Sequence, residues 1–329
     1  MKTKNAKKLL LGKPKRSSKI PIEDFLSTGS TLLNLACSGS INGGYAKGLY
    51  TYIVGDSSSG KSFFAMTCLA EASINPGFDD YRFIFDNAEN GSLANTRKFF
   101  GRRVEERLEP PRGTPDEPEY STTLEDFYAN VDGALKEKKP FIYILDSMDA
   151  ITTKEEVEVL DEKNKSIREG KKDKGKGTYG TGKAKMNSAN LRTITNRLKE
   201  TGSILIIISQ TRDNIGFGAQ FNPKSRSGGH ALRFYARIEI WTSVIKRIKH
   251  TVNGIERKIG AVTKVEFKKN HITGWEGNYV EVPFYRSVGF DDLGGCVDYL
   301  TKEGWWKETN KVINAQEFDG VIFKSGWLN

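Results

Sequence analysis

Cysteine is scarce in this chain of 329 residues. Cys37, Cys68 and Cys296 are three in number, far apart, and free of any C-x-x-C spacing. That excludes a disulfide framework and a thiolate metal cluster, and reads as reduced thiols of an intracellular, cytoplasmic protein. Long apolar runs are missing too, none approaching the roughly 18 residues that span a bilayer. The N-terminus starts basic, but its apolar patch is only Leu9-Leu-Leu11, too short for a signal-peptide core. No internal repeat is visible. Residues 1–19 lack acidic side chains altogether, while carrying Lys2, Lys4, Lys7, Lys8, Lys13, Lys15, Arg16 and Lys19.

Lysine and arginine are abundant: 51 against 41 aspartates and glutamates, a formal net charge of +10. Such a balance favours a polyanionic partner. The excess is concentrated. Residues 161–185 hold nine Lys/Arg against four Asp/Glu, spaced by Gly170, Gly175, Gly177, Gly180 and Gly182. This pattern reads as a flexible basic loop, with a solvated charge run as the alternative.

The strongest local signal is Gly55-Asp56-Ser57-Ser58-Ser59-Gly60-Lys61-Ser62. It follows the apolar run 49–54 and precedes the helical run 63–72. Strand, glycine loop and helix together form the context in which G-x-x-x-x-G-K-[ST] becomes a phosphate site. Backbone N–H groups wrap a polyphosphate and the helix N-terminus adds its dipole. Lys61 supplies a point charge, and Ser62 a hydroxyl for Mg²⁺.

Further apolar strands are expected at 81–85, 141–145 and 203–208, with helices at 124–135 and 186–200. Residues 109–120 read as loop. Strands alternating with helices imply an α/β fold with a mostly parallel sheet buried on both faces. Functional groups then belong at the carboxyl ends of the strands, where Lys61, Glu89, Asp146 and Gln210 fall. The polar, glycine-rich stretch 211–229 follows the last of these. Strands resume at 236–241, 244–249 and 263–268, with a hairpin turn over 251–256. Residues 291–329 carry a short helix and three of the five tryptophans, which reads as a small packed cap.

Taken in order, several segments resemble the RecA family of DNA strand-exchange ATPases, phage UvsX-type recombinases included. They are Ser27-Thr-Gly-Ser30, Gly55–Ser62, Asn87-Ala-Glu89, Leu145-Asp146-Ser147, Ser209-Gln210, Ser227-Gly-Gly-His-Ala-Leu-Arg-Phe-Tyr-Ala236 and Lys268-Lys-Asn-His271. The resemblance implies a RecA-like ATPase core over 25–290, preceded by a basic arm (1–24) and followed by the cap (291–329). It implies ATP and Mg²⁺ as cofactors, with Ser62 and Asp146 on the metal side. Glu89 then matches the catalytic glutamate, and Gln210 the sensor of the γ-phosphate. Lys269 and His271 match two cations that reach a neighbouring subunit's ATP, although the family has lysine where His271 stands. Hydrolysis is then expected to be weaker or more pH-dependent. Thr96 falls where a tyrosine usually stacks on adenine.

Loops 161–185 and 211–229 match the family's DNA-binding loops. Their implied contacts are Lys171, Lys172, Lys174, Lys176, Lys183 and Lys185 in the first, and Arg212, Phe217, Phe221, Lys224 and Arg226 in the second. Cations for phosphates and flat groups for bases are what single-strand binding needs. The implied activity is ATP-dependent homologous pairing and strand exchange by a helical homo-oligomeric filament. Its partners would be single-stranded DNA, homologous duplex DNA, and single-strand-binding and loader proteins, with no membrane. Two alternatives stay open: a regulatory paralogue with little strand exchange, and a hexameric helicase on the same core fold.

Overall fold

The computed structural model describes residues 20–89, 95–170, 181–213, 224–226, 229–303, 305–306, 312–313 and 323–324. In chain order the elements are β1 (Phe25–Leu26), α1 (Thr31–Ser38), β2 (Tyr45–Ala46), β3 (Tyr50–Gly55) and α2 (Lys61–Ile74). Next come β4 (Arg82–Asp86), α3 (Thr96–Phe100), α4 (Arg102–Arg107), β5 (Leu108–Glu109), β6 (Arg112–Gly113), β7 (Pro118–Glu119), α5 (Leu124–Lys136) and β8 (Phe141–Leu145). They are followed by α6 (Lys154–Arg168), α7 (Thr181–Thr201), β9 (Ile204–Asp213), β10 (Lys224–Arg226), α8 (His230–Tyr235), β11 (Ile238–Val252), β12 (Ile255–Asn270), β13 (Tyr279–Tyr285), β14 (Gly289–Phe290) and α9 (Asp292–Lys302).

One ten-stranded sheet organises the chain, in the order β14-β13-β12-β11-β3-β9-β8-β4-β5, with β10 paired to β9. From β11 to β5 every neighbouring pair is parallel, while β11 to β14 form an antiparallel flank. The apolar runs read from the sequence become the central strands because both of their faces are covered. Side chains alternate across a strand. Tyr52, Val54, Tyr143, Leu205 and Ile207 pack with Phe127 and Val131 of α5 and Leu191 and Leu198 of α7. Ile53, Phe83, Ile142, Ile206 and Ile208 pack with Ala65, Cys68 and Leu69 of α2 on the other face. No helix among the described residues is long and apolar enough to cross a membrane.

Three sequence expectations are corrected. Residues 161–185 are not a loop throughout, since α6 continues to Arg168 and α7 begins at Thr181. A capping box between Thr153 and Glu156 starts α6. Acidic Glu155 and Glu156 in its first turn and basic Lys165 and Arg168 in its last match the helix dipole. Within 109–120, β6 and β7 pair as a small antiparallel ribbon. The strands expected at 236–241 and 244–249 are one strand, β11, whose register shifts between Val244 and Lys246. The turn joining it to β12 is Asn253-Gly254, both with positive φ, as a tight hairpin requires. After β14, Asp292 of α9 accepts from Thr31 N (2.6 Å) and Thr31 Oγ1 (2.7 Å), tying α9 to α1. Trp305 is exposed.

Candidate functional site

The glycine loop joins β3, flanked by β9 and β11, to the N-terminus of α2. Gly55 has no room for a side chain: a Cβ there would lie 1.9 Å from Thr242 Oγ1 of β11. Gly60 takes φ +86°, a region costly for residues with a Cβ. Ser59 is buried and fixed on three sides. Its Oγ donates to Asp56 O (2.7 Å) and accepts from Thr242 Oγ1 (2.6 Å), and its carbonyl accepts from Thr263 Oγ1 (3.2 Å). The loop is thus pinned to β11 and β12, which leaves its outer rim to shape a cradle.

A cleft of about 340 Å³ opens above that rim. Ser57, Ser58, Gly60, Lys61, Ser62, Glu89, Asp146 and Gln210 all line it. These residues come from four chain segments, and parallel pairing brings the carboxyl ends of β3, β4, β8 and β9 to one edge. Lys61 is nearly buried and its Nζ donates to Asp56 O at 2.7 Å. Burial lowers its pKa, against the attraction of Asp146, Glu89 and Asp56. Burial raises the pKa of Asp146, and the Glu89 charge adds to the rise, while the hydrogen bond from Ser62 and the charge of Lys61 oppose it. Glu89 accepts from Ser147 Oγ, and from Gln210 Nε2 at 3.0 Å. The Gln210 backbone N–H donates to Asp149 Oδ2 at 2.7 Å.

The donor set fits a magnesium nucleotide. No group of three or more His, Cys, Asp and Glu side chains suited to a metal occurs among the described residues. A metal at Ser62 and Asp146 would therefore draw its remaining ligands from phosphate and water, as Mg²⁺ sites do. The apolar side of the cleft is Phe63, Met66, Phe100 and Phe284, with Arg247 and Arg286 at its edge. Thr96, expected on the adenine side, instead lines a separate cleft with Phe85, Pro110 and Tyr120. One turn of α3 separates it from Phe100, and it is Phe100 that reaches Phe63, at 4.8 Å between ring centroids.

Lys269 and His271 stand elsewhere. Ile238 pairs with both Asn270 and Thr51, so these two residues sit at the opposite end of β3 from Gly55. Lys269 Nζ donates to the carbonyls of Arg233 and Phe234 at 2.8 Å each, closing the C-terminal end of α8. Burial lowers its pKa, with Arg237 and Arg233 adding to the effect. Burial, then Lys269 and Arg237, likewise hold the His271 imidazole below its ordinary value.

Of the expected DNA contacts, Lys171, Lys172, Lys174, Lys176, Phe217 and Phe221 lie outside the described residues. Lys185 and Arg212 are exposed. Lys183 is committed inward, its Nζ donating to Met148 O and Ile151 O at 2.7 Å each. Arg226 pairs with the fully buried Glu239 at 3.3 Å. Lys224 pairs with Asp56. Sequence reasoning missed Ser147 and Asp149 as partners of Glu89 and Gln210. Their proximity to Asp146 was a usable signal; the pairing of Asp56 with Lys224, 168 residues on, left none.

A family model described as the RecA N-terminal domain matches residues 5–284. The protein RecA of Cytophaga hutchinsonii is 29% identical over 316 residues, covering 92% of this chain and 72% of that protein. RecA of Bacteroides thetaiotaomicron is 27% identical over 318 residues, covering 91% of this chain and 81% of that protein. RecA of Bifidobacterium breve is 30% identical over 305 residues, covering 92% of this chain and 64% of that protein. Match and site geometry agree: the chain belongs to the RecA family of recombination proteins.

Proposed function

We propose that this protein is an ATP-dependent recombinase that assembles head-to-tail on single-stranded DNA and promotes homologous pairing and strand exchange. The observation that carries this reading is the continuity of β9. It presents Gln210 in the cleft beside Glu89 and runs directly into Thr211–Asp213, one stem of the expected second DNA loop.

The loop Gly55–Ser62 holds the phosphates, Lys61 meets the β/γ oxygens, and Ser62 with Asp146 holds Mg²⁺. Mg²⁺ held there would supply positive charge to offset that of the phosphates. Glu89 orients the attacking water and takes its proton at a carboxylate oxygen. Gln210 exchanges its bond to Glu89 for one to the terminal phosphate, and β9 carries that displacement to Thr211. Nucleotide then favours the DNA-binding arrangement because it contacts the two arrangements differently. Lys269 and His271, at the far end of β3, serve the cleft of the next protomer.

The test is a strand-exchange assay with ATP and with a slowly hydrolysed analogue, beside Lys61→Ala. The variant is expected to lose the nucleotide-dependent gain in single-strand affinity. Equal affinity of the unmodified chain with and without nucleotide would refute the switch. One observation favours a second reading, a regulatory paralogue that exchanges strands weakly: the His271 imidazole is held toward its neutral form, where the family has a lysine. Negative-stain images with single-stranded DNA and the analogue separate the two. Helical filaments support the recombinase; their absence supports the paralogue, and rings a hexameric helicase.

A further inference from the structure

Asp56 belongs to the glycine loop, yet its side chain lines a second cleft and not the nucleotide cleft. That second cleft, of about 770 Å³, also takes in Thr211, Lys224, Arg226, Trp241 and Lys268. The Asp56 carboxylate accepts from Thr211 Oγ1 at 2.5 Å and is paired with Lys224 Nζ. Thr211 and Lys224 stand on different stems. β9 and β10 run antiparallel, with Lys224 opposite Asp213 and Arg226 opposite Thr211, and they bracket residues 214–223. One carboxylate therefore grips both stems. Burial pushes the Asp56 carboxyl up, but the hydrogen bonds from Lys224 and Thr211 and the charges of Lys224 and Lys61 outweigh it and hold the group below its ordinary range. It is a carboxylate at neutral pH.

The backbone of the same residue faces the other way. Asp56 O accepts from Lys61 Nζ at 2.7 Å, the ammonium that a polyphosphate in the loop would claim. Asp56 thus joins two ion contacts, each open to competition by a phosphate: Lys61 on the nucleotide side, Lys224 on the nucleic-acid side.

We propose that Asp56 is a positioning residue for DNA binding: it clasps both stems of the second loop to the glycine loop and competes with nucleic-acid phosphate for Lys224. The clasp slackens when Lys61 leaves the Asp56 carbonyl for nucleotide phosphate. This rests on the reading of 211–229 as a nucleic-acid contact. An ammonium neutralised by Asp56 releases no counterion from DNA; a freed one does. Asp56 therefore lowers nucleotide-free affinity, and so widens the difference that nucleotide makes.

The test is fluorescence anisotropy of a labelled single-stranded oligonucleotide across a salt series, with and without a slowly hydrolysed ATP analogue. The proteins are the full chain, Asp56→Asn, Asp56→Glu, Lys224→Gln and the Asp56→Asn/Lys224→Gln pair. Asp56→Asn is expected to raise nucleotide-free affinity about fivefold, the scale of one partly exposed ion pair. It should steepen the log–log salt slope by about 0.7, one further phosphate contact on a single strand. Asp56→Glu should restore the original behaviour, and in the Lys224→Gln background Asp56→Asn should leave the slope unchanged. Binding by the unmodified chain that does not respond to Asp56→Asn overturns the clasp alone. So does an equal response in the Lys224→Gln background, which would mark general repulsion by the carboxylate. No binding by the unmodified chain in either nucleotide state overturns the reading of 211–229 and the clasp with it.

Discussion

His271 shows how one side chain can set a pH dependence. Its pKa is depressed by burial, then by Lys269 and Arg237. For stability the sign is that of a lowered folded-state value: the contribution is present above about pH 6.5 and is lost as the pH falls below it. For catalysis the sign is opposite. If the imidazolium is the form that meets the neighbouring nucleotide, activity requires acid. DNA-stimulated hydrolysis is expected to rise as the pH falls below about 6.5, the ordinary imidazole value, and to change little above it. His271→Lys should flatten that rise and increase the rate at pH 7.5. Profiles of identical shape for both proteins would remove His271 from the reaction. That Lys61, Asp146 and Glu89 gather at one cleft was legible in the sequence because each follows an apolar strand of a parallel sheet, while the roles given to Asp146 and Glu89 come from the resemblance to the RecA family. What Lys183, Lys224 and Arg226 touch could not be read, because their partners are backbone carbonyls of 148 and 151, a loop carboxylate at 56 and a buried glutamate at 239. A cation count treats such groups as free.

At the scale of elements, α6 behaves unlike the core helices. None of its residues is buried, so packing contributes little to its stability. It is supported instead by its capping box, its dipole-matched ends, Gly170 at φ +68° and the contacts of Lys154 with Glu125 and Asp126. Thr153→Ala is expected to cost about 1 kcal/mol. The loss should stay local: amide exchange over 154–160 accelerates while β8 and β9 keep their protection. Equal acceleration throughout would mean that α6 opens only with the whole chain. The central strands could be found in the sequence because burial on both faces makes them uniformly apolar. The helical nature of 161–168 was hidden because composition dominated the reading: nine cations across 161–185 outweighed a Thr-x-x-Glu start eight residues earlier. The length of β11 was hidden by its bulges, which break the alternation that marks a strand. Beyond the sheet its outer end also sets like charges side by side, Lys249 opposite Lys258.

For the whole molecule, the two ends of β3 define a direction. Gly55 and the nucleotide cleft lie at one end, Lys269 and His271 at the other. An assembly that joins one end to the other is heterologous, and can extend without closing. This gives a complementation test. Lys61→Ala and Lys269→Ala should each be inactive alone. Mixed in equal amounts, they should restore hydrolysis at about one quarter of the interfaces, those pairing an intact cleft with an intact lysine. No recovery on mixing would place Lys269 outside the neighbour's cleft.

The separation of cleft and lysine has one more consequence in such an assembly. A row of protomers always ends in one cleft that no neighbour completes, so complete sites number one fewer than subunits. A dimer would run at half its nominal capacity, and a long row close to all of it. Hydrolysis per subunit then reports length, and the two termini are chemically unequal: one carries an idle cleft, the other an idle Lys269 and His271. Growth and loss at the two termini are then free to proceed at different rates, a polarity already present in one strand of one subunit.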